Sequence, residues 1–168
     1  MKKSGVVIFS KDRPFQLNEC LRTFQKFCQS FSSTQVYVLA KITEEERERY
    51  ETVKKTYPEV RFVWEGKSFA KDLKDILMEC KQKYETIMFT VDDAFFYRTF
   101  NLSDCADLLK RRKDVFCVHL KLCPFITYCH PAQKPATVPK VLEKDDNNSF
   151  LLFDRNDGAV DWNYPWDL

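Results

Sequence analysis

Glycine is scarce in this chain: among 168 residues only Gly5, Gly66 and Gly158 occur. A dinucleotide-binding fingerprint, a Walker loop and the usual glycine-rich methyl-donor loop all need clustered glycines, because the backbone must come close to the ligand. Three scattered glycines build none of them. A phosphate ligand would have to be held by a cation and by basic side chains.

Long apolar runs are missing too. The run Val6, Val7, Ile8, Phe9 is far too short for a signal-peptide core or a membrane span, and no other segment approaches spanning length. A cytoplasmic protein with no membrane span is the expectation. Nor is there an excess of one charge: 27 Lys and Arg against 25 Asp and Glu leave a net +2. No global field therefore draws the chain to nucleic acid or to a membrane surface. The seven cysteines form no Cys-x-x-Cys pair. They fall at core-like positions, which suits reduced thiols. The Asn-x-Ser sequons at Asn101 and Asn147 are then chance matches. Cys117, His119, Cys123, Cys129 and His130 could in principle hold zinc, but their spacing fits a metal site poorly, and cysteine and histidine on an apolar strand read better as core residues.

What remains is an ordinary globular composition, 44% hydrophobic and 31% charged, long enough for one core and short for two. Apolar strand patterns at 6–10, 36–40, 60–64, 86–91 and 115–122 alternate with helical ones. Strands 6–10 and 86–91 read as buried. Leu17, Cys20, Leu21, Phe24, Phe27, Cys28 and Phe31 recur at helical spacing, with Asp12 as a possible cap and Pro14 in the first turn. Thr43 and Glu46 have capping-box spacing ahead of a charged helix that Pro58 stops. Ser68 can cap a helix carrying Phe69, Leu73, Ile76, Leu77 and Cys80, and Ser103 opens another. The order implies an α/β fold with a mostly parallel central sheet and helices on both faces. Beyond Leu122, prolines and polar residues break the pattern into a long loop before an apolar strand at 150–153.

Ligands of such sheets bind where strands end at their carboxyl edge, here 10–14, 40–43, 65–68 and 92–93. At the last of these, Phe89-Thr90-Val91 runs straight into Asp92-Asp93. Two carboxylates at a strand end suit a hard divalent cation, Mg²⁺ or Mn²⁺, whose oxygen shell is readily shared with a diphosphate. The plainer alternative is a solvated pair that starts a turn. Arg13 and Lys71 are candidates for diphosphate contacts, with Lys74 an equal rival to Lys71. Arg13 sits at a helix start, where a cation is disfavoured unless an anion is near. Asp72 can accept from a base or ribose, or simply serve as a first-turn acid. A transfer reaction also needs a base near the acceptor hydroxyl. Asp161 is first choice, beside Trp162, Tyr164 and Trp166, whose rings could form a platform for an acceptor sugar or pack as core. Asp157 is second, though Asn156-Asp157-Gly158 also reads as a turn.

In this order the motifs resemble those of GT-A fold glycosyltransferases, over roughly the first three-quarters of the chain. Ser10-Lys11-Asp12-Arg13-Pro14 is similar to that family's nucleotide-binding turn. The run from Ser68 to Leu73 is similar to the helix that reaches the nucleotide-sugar, and Val91-Asp92-Asp93 resembles the Asp-x-Asp metal motif. The likeness looks closest to the small soluble enzymes, including those encoded by large DNA viruses. It implies donor contacts from Phe9, Ser10, Lys11, Asp12, Arg13, Lys71, Asp72 and Asp92, a metal ion on Asp93, a UDP-sugar donor, and a glycan or glycoprotein acceptor. Val91 departs from the motif, where a first aspartate would stand. A second metal ligand would have to come from elsewhere, with Asp154, Asp157 and Asp161 as candidates. The whole of 1–168 reads as one nucleotide-sugar-binding domain, either complete or cut from a longer chain. Two alternatives are a nucleotide-sugar-binding module of the same fold without catalysis and a sugar-phosphate nucleotidyltransferase; the missing glycine loop counts against the second.

Overall fold

The computed structural model describes residues 4–121, 125–129, 132–144, 150–154 and 156–157. The chain divides into two compact units, 1–116 and 117–168. The first unit alternates strand and helix: β1 (Ser4–Lys11), α1 (Pro14–Phe27), β2 (Thr34–Lys41), α2 (Arg47–Thr56), β3 (Arg61–Trp64), α3 (Phe69–Lys83), β4 (Thr86–Val91) and α4 (Leu102–Arg111). The four strands form one sheet in the order β3-β2-β1-β4, and every pairing is parallel. The α/β architecture expected from the pattern is present.

Chain order explains which helix lies on which face. From β1 to β2 to β3 the chain moves one way across the sheet; from β3 it returns past β1 to form β4. Right-handed crossovers then put α1 and α2 on one face and α3 on the other. Packing agrees. Val6, Ile8, Val36, Val38 and Ala40 pack with Leu17, Leu21 and Phe24 of α1, Tyr50 and Val53 of α2, and Leu102 of α4. Val7, Tyr37 and Leu39 meet Ile76 and Cys80 of α3. Successive side chains of β1 thus serve opposite cores, as the strand period of two requires, and Val6, Val7 and Ile8 are all fully buried.

Several expectations are corrected. Residues 115–121 form no strand, and among the described residues β4, read as buried, stands at the edge of its sheet; Phe89 is 52% and Val91 48% exposed. An apolar stretch has the capacity to be a strand, but without a partner edge it does not form one. Asp12 does not cap α1. That position belongs to Arg13, with no side-chain cap, while Asp12 has a left-handed backbone (φ 51°) and its carboxylate accepts from the Thr43 amide at 2.7 Å. Asp tolerates that region better than most residues. Nor does a capping box open α2: Glu46 holds the cap position with no side-chain bond, and its carboxylate accepts from Arg49 at 2.8 Å instead. The first helix stops at Phe27, so Phe31 lies in a separate 3-10 turn, Phe31–Ser33, although its ring still packs on Phe24 at 5.7 Å. Ser68 does cap α3, accepting from the Lys71 amide. The cap of α4 is Asn101, two residues before Ser103.

In the second unit, β5 (Tyr128–Cys129) pairs antiparallel with β6 (Lys134–Pro135). The strand β7 (Val141–Lys144) pairs antiparallel with β8 (Leu151–Phe153), with a register irregularity between Val141 and Glu143.

Candidate active site

The reversal of strand order falls between β1 and β4, and open α/β sheets form their ligand crevice at that point, beyond the carboxyl ends of the strands. Here the ends are Ser10-Lys11 and Val91-Asp92-Asp93. Phe9 is in register with Val91, and the Asp92 amide donates to the Phe9 carbonyl at 3.0 Å. That extra ladder bond brings Asp92 alongside Ser10. The Ser10 hydroxyl donates to Asp92 Oδ2 at 2.8 Å, and the Lys11 amide donates to the same oxygen at 3.3 Å.

The two adjacent carboxylates therefore live in different surroundings. Asp92 is only 4% exposed, and its Oδ2 is bonded from inside the fold by Ser10 and Lys11. Asp93 is open to solvent, its side chain 56% exposed. Arg13 spans both: its Nη1 lies 3.7 Å from Asp92 Oδ1 and 3.4 Å from Asp93 Oδ2. Close charge-assisted pairs measure ~2.7–2.9 Å, so this guanidinium is loosely held. Exposed ion pairs contribute only ~0–1 kcal/mol, which leaves Arg13 and Asp93 free to take other partners.

These groups border an open cleft of about 400 Å³ lined by Phe9, Ser10, Lys11, Arg13, Asp92 and Asp93 together with Leu39, Lys41, Glu65, Phe69 and Val91. Lys41 and Glu65, the residues at and just past the ends of β2 and β3, form an ion pair at 3.2 Å. The Phe9 ring meets Phe69 at 5.7 Å and stacks on Phe89 at 6.1 Å. Beneath the acidic pair, the Cys20 thiol donates to the Val91 carbonyl at 3.6 Å. Burial first, then the charges of Asp92 and Asp93, pushes its pKa up to about 12. It is a neutral packing group and not a nucleophile at neutral pH.

Of the sequence candidates, the cleft gathers Phe9, Ser10, Lys11, Arg13, Asp92 and Asp93. It does not gather Asp12, which is tied to Thr43 and borders a separate depression with Phe15 and Glu46. Lys71 pairs with Asp75 at 3.9 Å, and the Asp72 carboxylate accepts from the Gly66 amide at 2.8 Å; neither lines the cleft. Asp157 belongs to the second unit, where it accepts from the Lys140 amide at 3.4 Å. Asp154 accepts there from the Asn156 amide at 2.8 Å, as in a local turn. Asp161, Trp162, Tyr164 and Trp166 lie outside the described residues. So do Cys123 and His130 of the zinc alternative, whose Cys117 and His119 approach each other at 3.4 Å.

Sequence reasoning covered Lys41 and Glu65 only within the strand-end segments 40–43 and 65–68, and named Phe69 only as a residue of the helix capped by Ser68. It passed over Tyr50. The signal for Tyr50 is the 50, 53, 57 spacing of Tyr50, Val53 and Tyr57 within a helix that otherwise reads as charged; all three are buried.

Among the described residues no group of three or more His, Cys, Asp or Glu side chains could enclose a metal ion. What the cleft offers is the exposed carboxylate of Asp93 next to the buried one of Asp92, with a third, Glu65, held in its ion pair with Lys41. A donor set this small suits Mg²⁺ or Mn²⁺ completed by water and substrate phosphates and not a cation caged by protein alone.

No family model matches the chain. It is similar to the bifunctional glycosyltransferase pgtA of Dictyostelium discoideum, 35% identical over 182 aligned positions that take in 99% of this chain. The chain spans 23% of that relative's length. Among the described residues no helix is long and apolar enough to cross a membrane.

Proposed function

We propose that this chain is the donor-binding part of a glycosyltransferase, moving a hexosyl unit from a nucleoside diphosphate sugar, with UDP as the nucleotide, to a hydroxyl of a glycan or glycoprotein. The observation that carries the reading is the meeting of Arg13 and the Asp92-Asp93 pair at the strand-order switch of a sheet with no glycine cradle. The likeness to a bifunctional glycosyltransferase supports glycosyl transfer in general. The donor, the acceptor and the metal rest on the chemistry of the cleft and on the family resemblance.

Asp93 is the residue that would hold a divalent cation, because its carboxylate is reachable and only loosely paired. Bound there, Mn²⁺ or Mg²⁺ would supply charge neutralisation for a diphosphate leaving group. Arg13 and Lys11 face the same cleft and stabilise the negative charge that grows on the departing nucleotide. Asp92 is anchored through Oδ2 by Ser10 and Lys11, which leaves Oδ1, on the Arg13 side, as the oxygen that would meet a donor ribose. Phe9 and Phe69 give the cleft an apolar wall suited to a base or sugar ring. The acceptor side, with Asp161 or Asp157 as base and Trp162, Tyr164 and Trp166 as platform, belongs to the same proposal.

Calorimetric titration of the chain with UDP, with and without Mn²⁺, tests it. Binding should strengthen with the ion, and Asp93→Ala should remove that gain, a loss of about tenfold or more in affinity, with an unchanged circular-dichroism spectrum. Unchanged Mn²⁺-assisted binding in the variant would overturn the assignment. Val91, which leaves the acidic pair one carboxylate short, favours a second reading in which the chain binds donor without turning it over. Release of sugar from UDP-hexose in a hydrolysis assay separates the two.

A further inference from the structure

The buried tyrosine of α2 carries an inference that rests on the nucleotide-binding reading of the cleft and deepens it. Tyr50 is fully buried, yet its hydroxyl reaches the turn between β1 and α1. It lies 2.6 Å from Ser10 Oγ, and it accepts from the Arg13 amide at 3.0 Å. Ser10 has one hydroxyl hydrogen, which goes to Asp92 Oδ2 at 2.8 Å. Tyr50 must therefore be the donor to Ser10. The bonds run in one direction: Arg13 amide to Tyr50 oxygen, Tyr50 hydroxyl to Ser10 oxygen, Ser10 hydroxyl to Asp92 carboxylate. The relay joins the backbone of the cleft's main cation to its buried carboxylate.

A second tie from the same side of the sheet fixes the residue between them. Asp12, in the left-handed region, donates its amide to the Lys41 carbonyl at 3.2 Å and accepts from the Thr43 amide at 2.7 Å. The turn that carries Arg13 is thus clamped by the Tyr50 hydroxyl, the Lys41 carbonyl and the Thr43 amide. Burial raises the Tyr50 pKa above its ordinary value, so the hydroxyl keeps its proton and remains a donor at neutral pH.

We propose that Tyr50 is a positioning residue of the donor site: through Ser10 and the Arg13 amide it sets the Arg13 guanidinium over the Asp92-Asp93 pair. Removing only its oxygen leaves the ring in the core but strands the part-buried Arg13 amide and the buried Ser10 oxygen without their partner, and the turn relaxes.

The test is Tyr50→Phe in the full chain, with Mn²⁺ and UDP as the probe. Affinity for UDP should fall about tenfold, the fold-change expected when a buried hydrogen-bond partner is lost, and the Arg13 amide should exchange faster with deuterium. In an Arg13→Ala background the same substitution should cost almost nothing further, because the side chain it positions is gone. Val53→Ala, one turn along the same helix, serves as a control: it should lower stability and leave UDP affinity unchanged. Wild-type binding with an unaltered Tyr50→Phe affinity overturns the positioning role, as does a full additional loss in the Arg13→Ala background. A wild type that binds no UDP with Mn²⁺ overturns the reading beneath the proposal and the proposal with it.

Discussion

On one face of the four-stranded sheet three helices, α1, α2 and α4, close over Val6, Ile8, Val36, Val38 and Ala40; on the other, among the described residues of the first unit, α3 is the helix that covers Val7, Tyr37 and Leu39. Phe24 on the thick face meets the rings of Phe31, Phe96 and Phe100. Ile76 and Cys80 are the buried helix residues of the thin face. The cleft takes something from each. Its anchors, Tyr50 and Cys20, come from the thick face, and its apolar wall, Phe9, Leu39 and Phe69, comes from the thin one. A site of this kind needs both: rigid support for its charged groups, and incomplete cover elsewhere so that a ligand can enter.

The largest effect that would sharpen this contrast is expected from Phe24→Ala. Burial without exposure and three aromatic neighbours place it in the range of ~3–5 kcal/mol lost on removal of a core aromatic, measured by urea unfolding. Ile76→Ala should cost less, near the lower end of the ~2–5 kcal/mol for a buried isoleucine, because fewer elements pack around it. Equal losses in the two variants would remove the distinction between the faces.

Alkaline titration reads the thick face beneath the site. The Cys20 thiol is raised from an ordinary 9.0 to about 12 in the folded chain. Its contribution is therefore complete below pH 9 and is lost as pH rises through the folded value. The loss runs up to about 1.4 kcal/mol per pH unit. Stability should fall between pH 9 and pH 12, and Cys20→Ala should flatten that slope. An unchanged slope in the variant would show that the thiol is not the group being titrated. The smallest effect belongs to the thin face: Ser68→Ala removes the cap of α3 and should cost about 1 kcal/mol or less, since its bond to the Lys71 amide is long, 3.3 Å.

Much of the first unit was legible from the residues. The continuous apolar strands β1 and β2, the Leu17–Phe24 stripe and the Ser68 cap state their roles through spacing alone, because local geometry imposes those periods. The acidic pair and the Ser10–Arg13 turn could be placed at the same edge for a similar reason: parallel strands joined by helices must end together. Less visible were features that depend on a distant partner. Asp12 has the chemistry of a helix cap, and nothing nearby in sequence shows that the Thr43 amide captures it. Residues 115–121 are apolar enough for a strand, yet a strand exists only where another edge accepts its hydrogen bonds. Tyr50 sits in a helix that looks solvated, and only the folded sheet brings its hydroxyl to Ser10.

The sequence by itself determined the α/β alternation, the absence of any glycine phosphate cradle, and the presence of carboxylates and basic residues at strand ends. These follow from short-range stereochemistry and composition, which a chain carries before it folds. Only the tertiary structure decided that strand order reverses beside β1, that Asp92 turns inward while Asp93 stays open, and that Tyr50 reaches across to the turn bearing Arg13. Each of those depends on groups 37 to 82 positions apart along the chain, brought together because burial of two unequal apolar faces leaves the sheet a single stable order.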